Sequence, residues 1–136
     1  MQTTGLIVEY NPFHNGHNYH LKQSKIITNN QPTIAIMSGN FTQRGEPALF
    51  DKWVRSRMAV QAGVDLVLEL PATYSIRSAE YFARGAVLSL TATGLVKEIV
   101  FGSEKGQLQV LKKIARLLVS EPPEFKEKLK LNLTNG

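Results

Sequence analysis

The sequence predicts an α/β fold, a doubly wound parallel sheet with helices on both faces. Three observations lead there. Short β-branched runs alternate with segments of helical spacing, the helical segments close on glycine or just before proline, and the loops after the strands are polar and rich in glycine. A chain of 136 residues with 43% hydrophobic content fills one sizeable core and not two.

Thr4–Tyr10 is a short apolar run bounded by Asn11-Pro12, which reads as a buried first strand. Gly16 to about Thr28 is the first helix, with Tyr19, Ile26 and Ile27 as its apolar positions and Asn29-Asn30-Gln31-Pro32 as the closing turn. Thr33–Met37 and Val64–Leu68 are the second and third strands, the latter stopped by Pro71, and Lys97–Phe101 is the fourth. Helices are expected over Asp51–Ala62, closed by Gly63, and Ser78–Thr93, closed by Gly94, because glycine accepts the left-handed stop residue cheaply. A further helix runs from about Gln107 to Ser120. Glu121-Pro122-Pro123-Glu124 then marks a break that divides a main domain over 1–121 from a short helical tail over 122–136, with a helix over Glu124–Leu131. Right-handed crossovers between successive strands make the sheet parallel.

The chain has no cysteine, which excludes disulfides and cysteine-based zinc sites. It opens without a basic segment leading into a long apolar run, and no window holds the ~18 apolar residues of a membrane helix, so no membrane partner is expected and a cytoplasmic protein is the default reading. The net charge is +5: residues 1–100 carry nine Lys/Arg against seven Asp/Glu, and residues 101–136 carry seven against four. A basic balance suits an anionic partner such as a nucleotide or RNA, while the Lys112–Lys130 charges read as a solvated helix face.

In an open parallel sheet ligands bind beyond the carboxyl ends of the strands. The loop after the first strand holds Asn11-Pro12-Phe13-His14-Asn15-Gly16-His17, that after the second Ser38-Gly39-Asn40-Phe41-Thr42-Gln43-Arg44-Gly45-Glu46-Pro47, and that after the fourth Gly102-Ser103-Glu104. The first runs straight into a helix, whose free N–H groups and dipole favour an anion. Gly16 lets backbone approach a phosphate, and His14 and His17 share an early helical turn from which both rings can donate to phosphate oxygens. Ligation of a metal by His14, His17 and His20 fits worse, since His14 and His20 splay on a regular helix, and no metal site is assigned. No Walker A loop, G-x-G-x-x-G, G-x-S-x-G or H-E-x-x-H is present.

Arg44, in its glycine-bounded loop, is a candidate contact to phosphate or RNA. Lys52, Arg55 and Arg57 are balanced between that role and plain solvated charge. Asp65 and Glu69 flank the third strand and stay unassigned. Trp53, Tyr74, Tyr81 and Phe82 are read as core residues rather than a base-stacking platform.

His14-Asn15-Gly16-His17 after a strand resembles the HxGH motif of the nucleotidyltransferase superfamily, which includes class I aminoacyl-tRNA synthetases and pantetheine-phosphate adenylyltransferase. Joined to Val8–Phe13, Met37–Phe41, Gln43–Ala48 and Phe101–Glu104, it resembles the narrower family of bacterial tRNA(Met) cytidine acetate ligases, from about Thr4 to Glu104. That resemblance implies a Rossmann-like HxGH nucleotidyltransferase fold and a main domain that binds nucleotide. It implies an enzyme that activates acetate with ATP, together with Mg²⁺, and passes the acetyl group to the wobble cytidine of elongator tRNA(Met) through an acetyl-adenylate. It further implies ATP contacts from Ile7, Val8, Glu9, Tyr10, Asn11, Pro12, Phe13, His14, Asn15, Gly16, His17, Asn18, Tyr19, His20 and Gly102, with His14 and His17 catalytic and Arg44 and Lys52 toward phosphate or tRNA. Family members are longer and carry an Arg-containing second nucleotide motif beyond this sequence, so the chain reads as an N-terminal portion. The alternatives are an adenylyltransferase of a small phosphorylated metabolite and a non-catalytic nucleotide- or RNA-binding fragment.

Overall fold

The computed structural model describes residues 2–104 and 106–134; the last two residues of the expected tail lie outside that range. The elements, in order, are β1 (Thr3–Val8), α1 (Asn15–Ile27), β2 (Thr33–Ser38), α2 (Lys52–Gln61), β3 (Leu66–Leu70), α3 (Ala72–Ser75), α4 (Ala79–Ala92), β4 (Val96–Ile99), α5 (Leu108–Ser120) and α6 (Pro123–Thr134). The four strands pair in parallel in the order β3-β2-β1-β4. The first two crossovers step outward from β1, and the third returns to its other side. The topological switch point therefore lies between β1 and β4.

Strand periodicity sends alternate side chains to opposite faces. Leu6, Val8, Ala35 and Met37 form one core with Leu21 of α1 and Ala59 of α2. Ile34, Ile36 and Leu70 form the other with Ala86 and Leu90 of α4. Each wholly buried Leu or Ile contributes about 1.5–3 kcal/mol. Helices thus cover both faces, as expected of a doubly wound sheet.

Several details differ from the sequence reading. The third strand begins two residues later than Val64, because Val64 and Asp65 are spent on the turn after α2. The Val64 N–H donates to the Ala59 carbonyl at 3.0 Å, and the Asp65 carboxylate accepts from the Thr33 N–H at 2.8 Å. It then runs on to Leu70, paired with Ser38, and Pro71 caps a short helix, α3, that the sequence did not announce. In α1 the apolar positions chosen from the pattern, Tyr19, Ile26 and Ile27, are exposed, while Leu21 and Ser24 face inward. Trp53 is not a core residue: α2 turns Arg55 and Ala59 inward, which leaves the indole 69% exposed. Tyr74 and Phe82 do pack on the second core, whereas Tyr81 is exposed with the Arg77 guanidinium 4.2 Å from its ring centre.

Internal contacts gather the chain into two compact units, Met1–Phe101 and Gly102–Gly136. The second unit consists of α5 and α6 and has no fully buried residue among those described. No helix of the described residues is long and apolar enough to cross a membrane.

Candidate active site

Where β1 ends, the chain turns sharply. Tyr10 takes a left-handed conformation, φ 49°, which a residue with a side chain adopts only when its surroundings hold it there. Its ring is 1% exposed and lies edge-on to Phe13, with centroids 4.8 Å apart, and to His17 at 4.9 Å. Burial pushes the Tyr10 hydroxyl up to about 12. It stays protonated, and it has no hydrogen-bond partner among the described residues.

His14 is the N-cap of α1. Its Nδ1 accepts from the Gly16 N–H at 3.0 Å, and its own N–H donates to His17 Nδ1 at 3.3 Å, a reciprocal cap made by two imidazoles. The rings stack with centroids 3.7 Å apart. An Nδ1 that accepts carries no proton, so each neutral ring holds its proton on Nε2. Burial, reinforced by the neighbouring His14 and His20, lowers the pKa of His17 against an opposing pull from the Pro12 carbonyl. His20 is also lowered by burial, and its Nε2 is enclosed without a partner among the described residues. The His17 ring at the helix start is thus neutral at pH 7 and is no fixed cation. The first turn of α1 carries no acidic side chain to compete with an anion.

The loop after β2 folds back as a small hairpin, with Phe41 bridging Pro47 and Gly45 at φ 81° in the turn. Two residues of the β1 loop hold it. The Glu9 carboxylate accepts from the Gln43 N–H at 2.6 Å, and Asn11 Oδ1 accepts from the Leu49 N–H at 2.7 Å. The first two strand-end loops are thereby brought together, as their position at one end of the sheet suggests. Arg44 is exposed at the hairpin tip. Lys52 begins α2 and pairs with Glu69 at 2.6 Å.

Of the expected ATP-contact residues, Ile7 packs in one core and Val8 in the other, so only their backbone faces the strand end. Pro12, Phe13, Asn15, Gly16 and Asn18 line the turn into α1, and Tyr19 projects outward. Gly102 opens the second unit. Asp65 precedes β3 at the end of the strand away from these loops. Burial opposes ionisation of its carboxyl, but the Thr33 N–H and hydroxyl and Lys25 together hold its pKa below the usual range.

One residue carries more than the sequence indicated. Arg55 is wholly buried, and its guanidinium donates to the carbonyls of Phe50 at 3.0 Å, Glu9 at 2.6 Å, Ser38 at 3.1 Å and Gly39. It pins the ends of β1 and β2 to each other. A signal existed, since Arg55 lies four residues before the inward-facing Ala59 and so shares its helix face. Its charge pointed the other way.

A tRNA(Met) cytidine acetate ligase from Halothermothrix orenii is 57% identical over the whole of this chain and 32% of its own length. One from Clostridium perfringens (strain SM101 / Type A) is 56% identical, with 34% of its length covered. The chain spans about a third of the length of these relatives. The crystal structure of Thermotoga maritima TmcAL bound with alpha-thio ATP superposes with a TM-score of 0.88 at 48% identity, covering all of this chain and 33% of that one. The family model described as HIGH Nucleotidyl Transferase matches residues 1–136, and the chain belongs to that family.

Proposed function

We propose that this chain is the nucleotide-binding part of an ATP-dependent ligase that acetylates the wobble cytidine of elongator tRNA(Met). Acetate is the acyl donor, and a tRNA substrate places the enzyme in the cytoplasm. The observation that carries this reading is the mutual cap of His14 and His17, which stacks two imidazoles at the start of α1, where the free N–H groups of the helix favour an anion. The relatives' names and the ATP analogue bound in the Thermotoga maritima structure support the choice of substrates.

In this reading Ile7 to His20 contact ATP, the strand residues through their backbone. His14 and His17 are the catalytic donors to the phosphates. Gly16 fits the same task, because a Cβ there would lie 2.9 Å from the His14 ring. Arg44 and Lys52 are the cations for phosphate or tRNA. ATP supplies an α-phosphate from which the acetate carboxylate displaces pyrophosphate; the cytidine amine then takes the acetyl group, loses a proton and releases AMP. Catalysis of such a step rests on positioning and on donors placed where negative charge spreads. Mg²⁺ would be held mainly by the phosphates, since the described residues offer no group of three or more His, Asp or Glu suited to an ion.

The test is calorimetry of this chain with ATP. Replacing His17 by alanine is expected to weaken binding about ten- to a hundredfold, the loss of a hydrogen bond to a charged oxygen, while far-UV circular dichroism is unchanged. Unchanged affinity would move the phosphates elsewhere.

A further inference from the structure

We infer that the cavity between α2 and the edge strand β3 is a subsite for an unstacked nucleobase carrying an exocyclic amine, a reading that rests on the cytidine acceptor proposed above. The cavity measures about 240 Å³, below the range of sites for larger ligands, and suits a single ring. Its floor is apolar, formed by Met37 and Val67 on the sheet face that α2 covers. Its polar groups are arranged for recognition.

Lys52 spends one of its three donors on one oxygen of Glu69, and the other Glu69 oxygen accepts nothing among the described residues. An available donor therefore stands beside an available acceptor. That pattern complements an amine adjacent to a ring nitrogen or carbonyl, which is the edge of an aminopyrimidine. The ion pair leaves the cavity near neutrality, so of the two roles proposed above Lys52 serves here as the tRNA contact, to an uncharged polar base rather than to a phosphate. At the rim stands the exposed indole of Trp53, with the Lys52 ammonium 5.4 Å from its ring centre. An exposed aromatic face of this kind stacks an unstacked base. The Arg55 guanidinium that bonds to the Ser38 carbonyl also bonds to that of Glu9, so the subsite adjoins the end of β1.

Trp53 is the only tryptophan of the chain, so its fluorescence reads the subsite directly. Titration of the 136-residue chain with cytidine is expected to give a saturable change. Uridine, with a carbonyl in place of the amine, should bind roughly tenfold more weakly, because a hydrogen bond to a charged acceptor is lost. Glu69→Gln, whose amide donates as well as accepts, should narrow the gap between the two nucleosides. No saturable change with either nucleoside, or equal affinity for both, overturns the proposal. Calorimetry with ATP on the same chain keeps the two readings apart: cytidine recognition without ATP binding sinks the nucleotide reading alone, and ATP binding without cytidine recognition sinks only the subsite.

Discussion

Arg55 shows how a single side chain sets the geometry of a strand end. A wholly buried guanidinium is tolerated here because backbone carbonyls of four residues take its protons, and burial lowers its pKa against the opposing fields of Glu9, Asp51 and Glu69. Arg55→Met removes every one of these bonds and leaves carbonyls enclosed without donors. A loss of at least about 3 kcal/mol in urea unfolding is expected, with Arg55→Lys intermediate because an ammonium cannot reach all the acceptors. The histidines carry a different signature. His17 and His20 have lowered pKa values in the fold, whereas the unfolded chain titrates near the ordinary 6.5. As pH falls below 6.5 the unfolded state takes up protons first, so stability declines until the folded pKa values are passed, and above 6.5 these groups contribute no slope. Unfolding midpoints across that window should rise with pH, and replacing both histidines by glutamine should flatten the profile. Asp65, with its pKa lowered in the fold from an ordinary 3.8, adds stability that is complete above that value and is lost only as pH falls through the folded one, outside this window.

At the scale of elements, local signals and packing divide the credit. The span of α4 was legible: Ser78 and Thr93 flank it, and Gly94 follows at φ 69°. The glycine inside it was not. Gly85 sits mid-helix, where glycine costs about 1 kcal/mol relative to alanine, and only the packed structure gives the reason: a Cβ there would overlap the Tyr74 ring of α3. Gly85→Ala should therefore destabilise by roughly 1–3 kcal/mol despite its better helix propensity, read as a lowered thermal midpoint. The span of β3 was misplaced for a related reason. Val64 and Asp65 have strand-like neighbours in sequence but are captured by a helix stop and by Thr33, contacts that no window of residues contains. The start of α1 was legible because a glycine and two histidines fall in four consecutive residues after a strand.

For the whole molecule, buried side chains are confined to Met1–Phe101 among the described residues. Local opening is cheapest where few apolar side chains are enclosed. Amides of α5 and α6 should therefore exchange with deuterium orders of magnitude faster than those of β1 and β2, measured by mass spectrometry on the intact chain. Equal protection would mean that the helices bury a surface of their own.

The sequence by itself determined the class of fold, the alternation of strands and helices and the HxGH loop, because these depend on residues adjacent in the chain. Periodicity, glycine stops and a motif of four residues survive without knowledge of their neighbours in space. Only the tertiary structure decided that Trp53 faces out and Arg55 faces in, that Glu9 and Asn11 hold the hairpin after β2, and that Lys52, Trp53 and Glu69 share one cavity. The physical reason is common to all of them. Each depends on which groups lie across the sheet to satisfy a buried donor or carbonyl, and those partners are up to 46 residues away along the chain.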